Sequence, residues 1–203
     1  MILFADRGCP FAHRVLALFA HLGCRPDLRE SRVGEKPDGL DRYSSSGVIP
    51  LLVHGDFVLT ESRVMLEHLA EHYAFADAYP VDLKTRSLHR HAMAVVDVFL
   101  APLLFDKTDD AVDSARLEDA LQILEQATAS VAPQPHLLAM HSAPIWWRFR
   151  LWHPTHVVTQ AIEARTALCA WLDTALALDC LTRTAPDPDA HRQDFVRSQQ
   201  VSH

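Results

Sequence analysis

The hydrophobic pattern of this 203-residue chain changes period once and does not change back. Up to about residue 73, short apolar runs alternate with helical spacing, and past residue 83 only helical spacing recurs. Ile2, Leu3 and Phe4 form a strand-like run, and after Pro10 the apolar Val15, Leu16, Phe19 and Leu22 follow a helical period that Gly23 ends. Pro at the start and Gly at the end are the usual helix boundaries. Leu28 to Arg32 reads as a second strand, and residues 37–47 as a polar loop holding a short helix. Val48 to Val53, then His54-Gly55-Asp56, then Phe57 to Leu59 predict a β-hairpin. A helix from about Ser62 is expected to bury Val64, Met65, Leu66, Leu69 and Tyr73 on one side. The order is βαβ followed by ββα.

Between Ala74 and Leu83 the periodicity lapses and Pro80 interrupts it, which marks a linker. Beyond it no strand is expected. Leu88, Ala92, Val95, Val96, Phe99, Leu100 and Leu103 mark one long helix; Leu117, Leu121, Leu124 and Val131 a second; Val158, Ile162, Cys169, Leu172 and Leu176 a third. The organisation predicted is an α/β unit over residues 1–75 and an all-helical unit over 84–203, with a polar end from Thr184 expected to fray.

Composition excludes several classes. With 49% hydrophobic and 22% charged residues the chain can bury a core. A net charge of −7 argues against a nucleic-acid partner, whose phosphates need Lys and Arg. The start MILFADRGCPFAHRV has no basic stretch ahead of a long apolar run, so no secretory signal is expected, and no run of about 18 apolar residues offers a membrane span. The four cysteines lack CxxC spacing, which fits reduced thiols in the cytoplasm. The thirteen histidines, His89 and His91 included, lack HExxH or paired Cys/His spacing and read as solvated surface residues, so no metal site is expected.

Cys9 immediately precedes a helix that opens with Pro10, with Arg7 and Arg14 near it in sequence. Unsatisfied amides and the positive end of the helix dipole stabilise an anion there, so a thiol at Cys9 should ionise more readily than free cysteine. The competing account is a small apolar residue at a domain surface; Cys24, Cys169 and Cys180, each near the apolar face of a helix, are read that way. Pro50 cannot donate to a sheet ladder and leaves the backbone of Ile49 open to pair outside the protein. Glu61 and Ser62 open the next helix, where Ser ordinarily caps. A hydroxyl, amides and a carboxylate at one helix start could equally hold a ligand with an anionic and a cationic end, as an α-amino acid has.

Taken together, Cys9-Pro10-Phe11-Ala12-His13-Arg14-Val15, Val48-Ile49-Pro50-Leu51-Leu52 and Glu61-Ser62-Arg63 resemble the N-terminal domain of glutathione S-transferases, over roughly the first 75 residues. The resemblance implies a thioredoxin-like domain followed by an all-α domain, glutathione as the bound thiol, and Cys9 as the catalytic side chain of an omega-like member. It implies also that Pro50 is cis, that Ile49 pairs by its backbone with the cysteinyl part of glutathione, and that Glu61 and Ser62 hold the γ-glutamyl end. A homodimer is a further implication.

A second resemblance runs through Glu61-Ser62-Arg63-Val64-Met65-Leu66-Glu67-His68-Leu69 and Tyr79-Pro80-Val81, which are similar to the stringent starvation protein A branch, whose members share the transferase fold and bind RNA polymerase. Two departures from the transferase pattern stand out. Ser46 and Gly47 occupy the place of a glutathione-binding lysine, and His136 and Ala139 stand where the family has a Ser/Thr-x-x-Asp capping box, so the start of the helix through Trp146-Trp147-Arg148 is left open. That segment, with Phe149, Arg150 and Trp152, could bind a planar or anionic acceptor or simply pack a core. The functional expectation is a glutathione-dependent thiol transferase or conjugating enzyme using Cys9 on an electrophilic or disulfide small molecule. The alternatives are a non-catalytic regulator docking on RNA polymerase or another protein, and a glutathione-dependent isomerase or lyase.

Overall fold

The computed structural model describes residues 1–31, 36–106, 112–129 and 131–201, and it divides into two compact units. The first comprises Met1–Phe75 together with Asp179–His203, and the second Ala76–Leu178.

In the first unit β1 (Ile2–Ala5), α1 (Pro10–His21), β2 (Asp27–Glu30), β3 (Leu51–His54), β4 (Phe57–Leu59) and α2 (Ser62–His72) follow the βαβ–ββα order. The sheet order is β2-β1-β3-β4. β1 and β2 run parallel because α1 carries the chain back between them, whereas β3 is antiparallel to both β1 and β4. Gly55, at φ 65°, and Asp56 turn the hairpin. This is a thioredoxin-like domain.

Several details differ from the sequence reading. β3 begins at Leu51 rather than Val48, because Pro50 has no N–H for the ladder, and Val48 is left 51% exposed. The buried stripe of α2 is Ser62, Met65, Leu66, Leu69 and Ala70. Val64 falls off this i, i+3, i+4 row and Tyr73 lies past the last helical turn, so both are exposed. Arg32, the expected end of β2, lies outside the described residues.

The second unit contains helices and no strand among its described residues. Asp82 caps α3 (Leu83–Val95), its Oδ2 accepting the Thr85 amide at 2.8 Å. The helix then widens into a π turn at Val96–Leu100 before α4 (Ala101–Leu103). Pro102 accounts for the widening, since its ring cannot follow a regular i−4 ladder. α5 (Ser114–Thr128), capped by Asp113, ends before Val131. The expected third helix is two: α7 (Val157–Glu163) and α8 (Thr166–Leu176), separated where Arg165 leaves helical geometry at φ −94°, ψ 80°.

Between them in sequence and α5 lies α6 (Leu137–Trp152), which does begin where the missing capping box would have placed it. His136 stands in for the Ser or Thr, its Nδ1 accepting the Ala139 amide at 3.1 Å. His89, expected in solvent, is fully buried on α3, its ring centroid 4.9 Å from that of His136. His136 in turn stacks on Trp171 at 5.7 Å.

The chain end is also placed differently from the expectation of a helical half over 84–203. α9 (Asp179–Thr182) and α10 (Pro188–Val201) cluster with the first unit. The reason lies on α1: the buried His13 ring is bonded through Nε2 to the Leu181 carbonyl at 3.0 Å, and Arg183 Nη2 donates to Ala20 O at 3.3 Å. His191 on α10 is only 7% exposed, so this part of the end is packed rather than frayed.

Candidate active site

Strand register gathers the sequence-picked residues at one end of the sheet. Phe4, near the end of β1, pairs with Leu51, the first residue of β3, and Leu52 pairs with Leu59, the last of β4. The β1–α1 loop with Cys9, the Ile49–Pro50 approach to β3 and the Glu61–Ser62 start of α2 therefore all issue from the same edge.

Cys9 is the N-cap residue of α1, extended at φ −68°, ψ 125°, and half-buried. Its carbonyl accepts the His13 amide at 3.0 Å, while its thiol makes no capping bond to the helix. The first turn of α1 holds no acidic side chain to offset its positive end. Asp6 shapes the loop ahead of it, accepting the Gly8 amide at its Oδ1 (2.7 Å) and the Cys9 amide at its carbonyl (3.0 Å). There is little room beside Gly8: a Cβ there would stand 3.1 Å from both Asp6 Oδ1 and His191 Cε1. Of the two arginines near Cys9 in sequence, Arg7 pairs with Glu30 at 3.1 Å in solvent. Arg14 is fully buried and its Nη1 donates to Ser62 Oγ at 3.2 Å, with its guanidinium 5.0 Å from the Phe11 ring centre.

The Ile49–Pro50 peptide bond is cis. Pro50 is buried, and Ile49, half-buried, packs against the cluster of Phe4, Leu40, Leu51 and Val53. Glu61, exposed, is the N-cap residue of α2 without a side-chain capping bond, and Ser62 is the first helical residue. Ser62 is thus not the cap its position in sequence suggested. Its hydroxyl joins the start of α2 to α1 through Arg14, a link the sequence reading missed; the signal was an arginine inside the apolar row of α1.

Of the other cysteines Cys180 is buried, whereas Cys24 and Cys169 are half-buried like Cys9. Burial pushes the Cys180 thiol up, and burial followed by the Asp173 carboxylate does the same to Cys169. In the aromatic–arginine segment of α6, Trp146 and Phe149 are buried core residues, Trp146 Nε1 donates to Asp173 Oδ1 at 2.9 Å, and fully buried Arg148 lies 4.5 Å over the Trp147 ring, while Trp147 and Trp152 are half-buried and Arg150 is exposed. No helix among the described residues is long and apolar enough to cross a membrane.

Residues 3–77 match the family model for the glutathione S-transferase N-terminal domain. The chain is 26% identical over 161 residues to a stringent starvation protein A homolog of Pasteurella multocida, covering 74% of this chain and 75% of that one. It is 27% identical over 124 residues to glutathione S-transferase omega-1 of Mus musculus, covering 59% of this chain and 51% of the relative. Glutathione transferase Omega 1C of Trametes versicolor superposes with a TM-score of 0.79 at 18% identity, covering 97% of this chain and 95% of that one. The chain therefore carries a glutathione S-transferase N-terminal domain and has the glutathione S-transferase fold, with a thioredoxin-like unit and a helical unit.

Proposed function

We propose that the protein binds glutathione at the sheet edge described above and uses Cys9 as the nucleophile of a thiol transferase. The observation that carries this reading is the convergence there of a helix-capping cysteine, the backbone at Ile49 and Pro50, and the Glu61–Ser62 helix start. In this scheme the Cys9 thiolate attacks the glutathionyl sulfur of a mixed disulfide, the S–S bond breaks, and the substrate thiolate leaves and takes a proton from water. A second glutathione thiolate then attacks the Cys9–glutathione disulfide, releasing oxidised glutathione and restoring the Cys9 thiolate. Ile49 and Pro50 hold the cysteinyl part of glutathione, and Glu61 and Ser62 its γ-glutamyl end. The second substrate is an electrophilic or disulfide small molecule, the setting is the cytoplasm, and the chain works as a homodimer. Incubation with oxidised glutathione tests the scheme: intact mass should show one glutathionyl adduct, peptide mapping should place it on Cys9, and Cys9→Ser should abolish it. An adduct spread evenly over the four cysteines would sink the scheme. Sedimentation at micromolar concentration should give a dimer of 22.8 kDa chains, and a monomer would remove that part.

A second reading is a regulator that docks on RNA polymerase or another protein. It is favoured by the similarity to the stringent starvation protein A homolog over about three quarters of both chains. The two readings separate on Cys9→Ser, which ends thiol transfer and leaves docking intact.

A further inference from the structure

At the opposite end of the same sheet three histidines come together that are scattered in sequence. His54 ends β3, and His68 and His72 lie one turn apart on α2. His54 Nδ1 and His68 Nε2 are hydrogen-bonded at 3.0 Å. The His54 and His72 ring centres are 4.6 Å apart, His54 and His68 5.3 Å, and His68 and His72 6.1 Å. The hairpin turn places them by the side of Phe57, whose ring centre is 5.3 Å from that of His68.

We propose that His54, His68 and His72 form a binding site for a divalent transition ion of the zinc class. Imidazole nitrogen sits about 2.0–2.1 Å from zinc, so two such ligands at angles between square and tetrahedral stand roughly 2.9–3.4 Å apart. The His54–His68 separation already lies in that range. Their contact needs one ring to lend a proton and the other a lone pair, and an ion replaces that single proton by accepting a lone pair from each. As the side chains stand, no three His, Cys, Asp or Glu donors among the described residues are set around one point. His72 closes the set: it is exposed, and a turn of its ring costs little packing. Histidines at i and i+4 share a helix face, which is the spacing a chelate needs. Imidazole without thiolate suits zinc, nickel or copper rather than calcium or magnesium. The site is separate from the Cys9 edge, so it stands or falls independently of thiol transfer.

The test is equilibrium dialysis of the full chain, free of any added histidine tag, against zinc, followed by cobalt absorption. One zinc per chain should be retained, with His54→Gln and His68→Gln each weakening it by at least about tenfold. Exposed His72→Gln, which leaves the fold undisturbed, should weaken it to a similar degree, while the exposed His91→Gln should not. Melting curves of each variant show that the chain is folded. Bound cobalt should give visible d–d bands without thiolate charge transfer. No zinc retained at about 0.1 mM, full affinity in His68→Gln or His72→Gln, or a thiolate band overturns the proposal.

Discussion

The guanidinium of Arg14, fully buried on α1, donates to the hydroxyl of Ser62 3.2 Å away at the first turn of α2. The two helices that open onto the candidate site are thereby joined next to it. Ser62→Ala removes an acceptor from a buried charge, and should cost about 1–3 kcal/mol of stability by urea unfolding. Loss of helix capping is not the cause, because Glu61 holds the cap position. Ser62→Thr, which keeps the hydroxyl, should recover most of the loss; a melting temperature unchanged in Ser62→Ala would refute the link.

Thiol labelling should rank the cysteines. Cys9 at the N-terminus of α1 should react with iodoacetamide at neutral pH well before Cys180 and Cys169, whose thiols are pushed up by burial. Timed quenching and peptide mapping read the order directly. Cys180 labelling as fast as Cys9 would remove the argument for a thiolate at the helix start.

Acid should weaken the protein through His136. Burial, then the charge of neighbouring His89, lowers its pKa from 6.5 to about 4. A depressed histidine pKa means that the unfolded chain takes up the proton first, so stability is full above about 6.5 and falls as pH drops toward 4. The loss over that window is roughly 3 kcal/mol, an upper figure from the linkage relation. Burial lowers His89 too, so it adds in the same direction. Urea unfolding at pH 7 and pH 4.5 should show the slope, and His136→Ser, which keeps a capping oxygen without a titrating ring, should flatten it while losing packing against Trp171. An equally steep slope in that variant would exclude His136 as the source.

Gly8→Ala should destabilise by about 1 kcal/mol or more, because the new methyl meets Asp6 and the His191 ring at 3.1 Å. His191→Ala clears part of that space, so the double variant should lose less than the sum of the single ones. Strict additivity would show that His191 does not bear on the loop before Cys9.

The order of strands and helices in the first 75 residues was legible because each element carries its own period and its own stop: Pro10 and Gly23 for α1, Gly55-Asp56 for the hairpin. What escaped was decided by partners distant in sequence. Nothing local in Ser62 distinguishes a capping hydroxyl from one that receives Arg14, and nothing local in His136 announces that an imidazole will do the work of a serine. The cluster of His54, His68 and His72 was hidden for the same reason, since strand and helix bring His54 to His68 across 14 residues. The break between α7 and α8 was hidden by a period that the apolar residues carry straight through Arg165.

The return of α9 and α10 to the first unit has a consequence for the order in which the protein is made. The face of α1 that bonds to Leu181 and Arg183 is translated more than 160 residues ahead of those partners. The helical unit, closed by Leu178, can be finished on the ribosome before the sheet unit that precedes it has received its last pieces. The first unit is then the last to be completed, and until Leu181 and Arg183 have been made the face of α1 that they cover stays open to chaperones.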